Sequence, residues 1–343
     1  LPDVFGTTSQ NVSRLAPVSR PLDDFMEQYA DVISTIPESV LEAGKYDGSY
    51  YMLANGLDPY NMAINKEIFE DAGVPIPEDG WTMDDLEALL PQLTKVDEAT
   101  GRTEYYALAV SVYNCDYYNF IGNYGGTFFE NGQSTWSTNQ GVIDAITMLT
   151  NACLNGYAPS PAITTSSGLD NERLFVTGKI AMFPAGFWTI ASLYGSDNSQ
   201  IEFDWDYIDM PVQEGVDPVD PFVAGGNMVS KDTEYPEVAY ALLAYTLTKE
   251  GVMGSYEAGL SLPVTKDLYD SSLVPYGKDL TLDYFYRAAD YAFPQSALDL
   301  NASGASSESV SIMNAELQLC YDGQQTVEQT LQNIDNKVNE IVN

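Results

Sequence analysis

The chain has 343 residues, 45% apolar and 12% aromatic, which gives it the length for two domains with ample core and rules out disorder as a whole-chain description. Fifty acidic residues against 14 basic ones leave a formal net charge of −36, a field that repels phosphate backbones and anionic headgroups and so excludes nucleic acid and membrane-surface partners. There is no histidine, so Ser-His-Asp and Cys-His catalysis and His-ligated zinc or haem cannot be built.

Taken in chain order, Leu1-Pro2-Asp3-Val4 begins no signal peptide and reads as the start of a processed or incomplete polypeptide. No apolar run reaches the ~20 residues of a membrane helix. The stretch NGLDPYN (55–61) is a loop by its turn chemistry. Leu86, Leu89, Leu90 and Leu93 then fall at i, i+3, i+4 and i+7, with Thr82 as N-cap and Asp85 in the capping-box position. Trp81 and Leu86 form a hydrophobic staple, which makes Trp81 structural.

YYALAVSVY (105–113) is a strand, followed by the amide-rich loops YNCDYYN (113–119) and NYGG (123–126). Trp136, in the polar GQSTWSTN, is expected to be exposed. KIAMF (179–183) is a buried strand that runs into the corner PAGFW (184–188). In FDWDYIDM (203–210), Trp205 faces inward. GNMVS (226–230) is a strand preceded by the corner VAGGN (223–227).

After Pro236, a helix buries Val238, Ala241, Leu242 and Tyr245. A last helix buries Val327, Leu331, Ile334, Val338 and Ile341, with Thr326 and Gln329 as its capping box. NASGASSES (301–309) is a modest low-complexity tract. Cys115, Cys153 and Cys320 are widely spaced, allow at most one disulfide and no thiolate metal cluster, and read as small buried apolar residues. Strands alternating with helices imply an α/β architecture.

Several of these loops combine rings with amides. Pyranose rings present apolar C–H faces that lie flat on aromatic side chains, and a fringe of hydroxyls that pairs with Asn and Asp. Anionic ligands would call for a cationic clamp or a glycine-rich phosphate loop, and neither GxxxxGK[ST] nor GxGxxG occurs. Calcium-loop spacing is also absent, so no metal and no cofactor is expected. Trp188, with Phe187 beside it, is either a stacking platform at a strand end or a core residue at a helix start. Among 50 acidic residues some pair will meet the spacing of a glycoside hydrolase by chance, so a carbohydrate hydrolase using paired Asp/Glu stands as the alternative to a binding protein. A polymer-adhesion protein is a third class.

The segment YNMAINKEIFEDAGVPIPEDGWTMDDLEALLPQL (60–93) resembles the extracellular solute-binding proteins of ABC sugar importers, the family related to maltose-binding protein. The likeness continues in order through DVISTIPESVLEAGKYDGSYYML, NYGGTFFENGQSTW, ERLFVTGKIAMFPAGFW, AGGNMVSKDTEYPEVAYALLAYT and GQQTVEQTLQNIDNKVNEI. It implies a two-lobe, periplasmic-binding-protein-like α/β fold of type II, with mixed sheets flanked by helices and a hinge of several segments. One lobe would hold 1–62 plus 266–296, lacking the family's first strand-helix-strand. The other would hold 63–265 plus 297–343.

The resemblance further implies that a carbohydrate, of oligosaccharide length, binds between the lobes of a monomer and is delivered to permease subunits. The location implied is the cell surface, by a lipid anchor, or the periplasm. Carried over position by position, Trp188 matches the family's stacking tryptophan and Gly225, Gly226 and Asn227 match a cleft loop. Asn55, Asp58 and Tyr60 lie at the first crossing between lobes, and Asn114, Asp116, Tyr117 and Asn123 on cleft-facing loops. No catalytic residue is implied.

Overall fold

In the computed structural model, the described residues are 1–167, 170–194, 201–269, 275–277, 279–294 and 306–342. The chain opens with β1 (Val4–Thr8). Short helical turns then lead to β2 (Met52–Asp58) and β3 (Tyr60–Asn65), which only Pro59 separates. Proline has no N–H to offer a ladder, and Pro59 falls where the chain passes from one sheet to the other.

Asn65 caps α1 (Lys66–Ala72), its side-chain oxygen accepting from the N–H groups of Glu67 and Ile68. In α2 (Met83–Leu89) the expected capping box is present: Thr82 accepts from the Asp85 N–H at 3.1 Å, and Asp85 accepts from the Thr82 N–H at 2.8 Å. Next come β4 (Lys95–Val96), β5 (Thr103–Leu108), α3 (Asn114–Asn123), α4 (Gln140–Leu154) and α5 (Asn171–Val176).

The strand expected over 179–183 is β6 (Ile180–Gly186), and it continues through Pro184 to Gly186 before α6 (Thr189–Tyr194). Pro184 is tolerated because β5 pairs with β6 only as far as Met182, leaving that edge free of a partner that would need its N–H. The remaining elements are β7 (Trp205–Ile208), β8 (Asp220–Val229), α7 (Pro236–Tyr245), α8 (Lys249–Glu257), α9 (Asp283–Ala288), β9 (Ala292–Pro294), α10 (Ser306–Tyr321) and α11 (Val327–Val342).

Two mixed sheets result. In the first, β8 pairs antiparallel with β1 and with β2, and parallel with β9. In the second the order is β7-β3-β6-β5-β4. The chain therefore changes sheet between Asp58 and Tyr60, and again between Ile208 and Asp220. Because β8 pairs with β1 and β2, residues 220–229 share a sheet with the start of the chain.

Side-chain alternation along β3 shows why the second sheet is covered on both faces. Met62 and Ile64 enter one core with residues of α2, α3, α4, α10 and α11, while Ala63 enters another, which continues to the first sheet through Phe183, Phe187 and Tyr207.

Two expectations about packing are corrected. On α7 the buried residues are Ala239, Tyr240 and Leu243, while Val238, Leu242 and Tyr245 are exposed. The helix is turned because Tyr240 packs edge-on to Phe25 and its hydroxyl accepts from Arg20 Nε at 3.1 Å. Trp136 is buried, not exposed. Asp335, from α11, accepts N–H bonds from Trp136 and Ser137 at 2.8 Å and hydroxyl bonds from Ser134 and Ser137 at 2.5 Å, which pulls the polar loop inward. Trp205 lies in the core and Trp81 is buried as the staple, as expected, with its indole N–H donating to the Asp209 carbonyl at 2.8 Å. Cys153 and Cys320 are buried free thiols.

Candidate functional site

The corner after β6 separates its two aromatics. Phe187 is fully buried, edge-on to Phe285 and near Tyr256, so it is core rather than ligand surface. Trp188 turns the other way and is half-buried. A Cβ at Gly186 would sit 2.0 Å from the Trp188 ring, so the indole lies against bare glycine backbone and glycine is required there. Tyr60 meets the indole edge-on, with centroids 5.1 Å apart and planes at 80°. The Phe187 N–H donates to the Pro59 carbonyl at 3.1 Å, and the Thr189 hydroxyl to the Gly186 carbonyl at 2.7 Å. Trp188 is thereby fixed to the segment that crosses between the sheets.

Trp188 borders a cavity of about 300 Å³. Tyr60, Tyr113, Asp116 and Glu172 also line it, as do Asp170 and Asn171 at the start of α5. The Ser111 hydroxyl donates to Asp116 at 2.5 Å. Burial pushes the Asp116 carboxyl up to about 7, against the Ser111 bond that lowers it and with the Glu172 charge that raises it further. Burial also raises Glu172, reinforced by the charge of Asp170. Asn171 Oδ1 is buried with no partner.

A second cavity, of about 310 Å³, gathers Asn55, Asp58, Gly225, Gly226 and Asn227 between β1, β2, β8 and α8. Gly226 serves close backbone approach at a register shift, since a Cβ there would lie 2.5 Å from the Leu53 carbonyl oxygen, whereas Gly225 faces open space. Asp58 Oδ1 is buried without a partner, and burial holds this carboxyl well above its ordinary range. Asp220, at the second crossing, behaves alike: Oδ2 accepts from the Tyr60 N–H at 2.7 Å, Oδ1 has no partner, and burial raises it.

Trp188, Tyr60 and Asp116 are therefore brought together, and Asn55, Asp58, Gly225, Gly226 and Asn227 form a neighbouring group. Tyr117 and Asn123 reach neither cavity. Tyr117 is buried, its hydroxyl donating to Asn314 at 3.0 Å. Asn123 is a buried clamp: Nδ2 donates to the carbonyls of Asn119 and Val219, and Oδ1 accepts from the Val219 N–H. The Asn114 side chain lies outside the described residues. Ser111, Tyr113, Asp170, Asn171 and Glu172 were not foreseen. Tyr113 belongs to the YNCDYYN stretch, which was expected as a loop but forms the N-cap and first turns of α3, and it carried the same signal as its neighbours; Asp170 is the α5 N-cap, which reads from sequence as local capping alone. A larger depression of about 630 Å³ lies at Trp81 and Pro75–Gly80, away from all of these residues.

Residues 1–280 match the family described as bacterial extracellular solute-binding protein. Among solved structures, an ABC substrate-binding protein of Listeria monocytogenes in complex with cycloalternan is similar at TM-score 0.83 and 24% identity, covering 99% of this chain and 84% of that one. The GacH receptor of Streptomyces glaucescens, solved unliganded and with acarbose, is similar at TM-score 0.78 and 17% identity over 99% and 84%. The sugar-binding protein MalE of Xanthomonas citri is similar at TM-score 0.80 and 16% identity over 100% and 84%. These likenesses establish the fold: a two-lobe α/β solute-binding architecture with mixed sheets.

A binding protein of Brucella abortus is 25% identical over 167 residues, 48% of this chain and 39% of its own length. The chain thus spans about two fifths of the curated relatives it matches. The chain belongs to the bacterial extracellular solute-binding family, whose members bind rather than transform, and the hydrolase alternative falls with that assignment. Among the described residues no helix is long and apolar enough to cross a membrane.

Proposed function

We propose that this solute-binding protein captures a carbohydrate, of oligosaccharide length, where the chain crosses between its two sheets, and delivers it to the permease subunits of an ABC importer. The observation that carries the reading is Trp188. Its half-buried side chain is held against Gly186 beside a 300 Å³ cavity whose polar lining is carboxylates, an amide and hydroxyls. That combination suits a ring with apolar faces and a polar rim. Structures of this fold hold cycloalternan, acarbose and maltotetraose, which supports the same chemical class here.

Residues 4–58 with 220–294 act as one lobe, and 60–208 with 306–342 as the other. Closure of the lobes on the sugar turns occupancy into a shape that the permease reads. Asp58, Asn55 and Asn227 approach the ligand from the first lobe, and Trp188, Tyr60 and Asp116 from the crossing and the second. The protein works as a monomer outside the cytoplasmic membrane, in the periplasm or lipid-anchored at the cell surface.

A thermal-shift screen against mono- and oligosaccharides tests the reading. A sugar that binds only the native chain raises its melting temperature in a concentration-dependent way. If no member of a broad panel does so at millimolar concentration, while amino acids or peptides do, the carbohydrate assignment is wrong.

A further inference from the structure

The cavity beside Trp188 gathers more carboxyl groups than a neutral sugar needs, and a bound cation would favour their ionised form. Asp116, Asp170 and Glu172 all line it, and no Lys or Arg does. Among the described residues, none of the three is in an ion pair. Asp116 has the Ser111 hydroxyl, Asp170 the Arg173 backbone N–H at 2.8 Å, and Glu172 a hydrogen bond with the Ser192 side chain. The buried, partnerless Oδ1 of Asn171 adds one more acceptor at the same wall.

Acceptors of this kind call for donors, and the charge calls for a cation. Hydroxyls of a neutral saccharide would answer the first demand and leave the second unmet in a place where water solvates the carboxylates poorly. An ammonium group brings three donors and the compensating charge, and the indole face next to it attracts cations as well as C–H groups. The net charge of −36 also raises the local concentration of cationic ligands over anionic ones.

We propose that the preferred ligand is an amine-bearing saccharide, its ammonium held between Asp116 and Glu172 while a ring face lies against Trp188. This rests on the carbohydrate reading above and narrows it.

The test is calorimetric titration of the full chain near neutral pH with three oligosaccharide series that share a β-1,4 glucan backbone. Chitosan oligosaccharides carry the free amine, chitin oligosaccharides its acetylated form, and cello-oligosaccharides a hydroxyl at the same carbon. Glucosamine, galactosamine and mannosamine are run against their parent hexoses in parallel. The expected result is that amine-bearing members bind about tenfold or more tightly than their hydroxyl and acetyl counterparts, through charge-assisted hydrogen bonds. In Glu172→Gln, and in Asp116→Asn with Glu172→Gln, the amine-bearing members lose more affinity than their hydroxyl counterparts, so that the preference falls to near parity. Melting curves of the variants establish that they are folded.

Equal or tighter binding of the hydroxyl or acetyl members overturns the inference and leaves the carbohydrate reading standing. An amine preference that survives in the folded variants overturns the assignment to Asp116 and Glu172. If no saccharide of any kind binds, both readings fail together.

Discussion

Two cavities of nearly equal size flank the crossing between the sheets, at about 300 and 310 Å³, and they are built from different materials. The one at Trp188 has a fixed ring, a second ring meeting it edge-on, and carboxylates raised chiefly by burial, Asp116 further by Glu172 and Glu172 by Asp170. The one at Asn55 and Asn227 is walled by glycine backbone, polar side chains and the aliphatic Val252, Leu260, Leu262 and Pro263, with no aromatic ring. A site for a sugar needs an apolar face as well as a polar rim, so polar lining alone does not distinguish the two. The same contrast holds within the dipeptide Phe187-Trp188, where adjacent rings point to opposite fates.

The sharpest way to break that contrast is to truncate each ring. Phe187→Ala is expected to cost about 3–5 kcal/mol of stability, the range for emptying a buried aromatic site. Denaturant unfolding measures it, and a loss below about 1 kcal/mol would show that Phe187 is not packed as described. Trp188→Ala is expected to cost about 2 kcal/mol or more of saccharide affinity, roughly thirtyfold, as a central aromatic anchor does, with a much smaller change in unfolding. Titration of the folded variant decides this.

The carboxylates sharpen the comparison through pH. Burial lifts Asp116 to about 7 in the folded chain from an ordinary 3.8. Between those values the folded state binds more protons than the unfolded one. The contribution of Asp116 to stability is therefore complete below about pH 4 and is lost as pH rises through about 7. Asp58 and Asp220, also raised by burial, act in the same direction. Asp116→Asn should flatten part of this decline; melting temperatures taken across that range would show an unchanged slope if the carboxyl were in fact well solvated.

The smallest effect is expected in the other cavity. Asn227→Ala should leave saccharide affinity within about twofold, as substitutions away from the anchoring contacts do. A tenfold loss would move the ligand's centre to Asn55 and Asn227.

Local features were legible in the sequence. The capping boxes at Thr82 and Asp85, and at Thr326 and Gln329, form as the residues dictate, because their partners lie three positions away. The strand over Lys179–Phe183 was legible too. Features set by distant partners were not. The buried face of α7 depends on Phe25 and Arg20, over 200 residues earlier, and two apolar faces were equally periodic. Trp136 is drawn inward by Asp335, some 200 residues later.

The site shows the same division. Trp188 and Asp116, both named through the family resemblance, line one cavity. Tyr117 and Asn123 look alike in sequence and are spent on the fold, Tyr117 on Asn314 and Asn123 on the backbone of Val219. Residue type does not reveal whether a polar group already has a partner.

A crystal structure of the full chain with a bound saccharide bears most directly on the central claim. It should show a pyranose ring against the face of Trp188, with Asp116 within hydrogen-bond distance of the sugar. A sugar seated elsewhere, with the Trp188 face left to solvent or covered by protein, would contradict it.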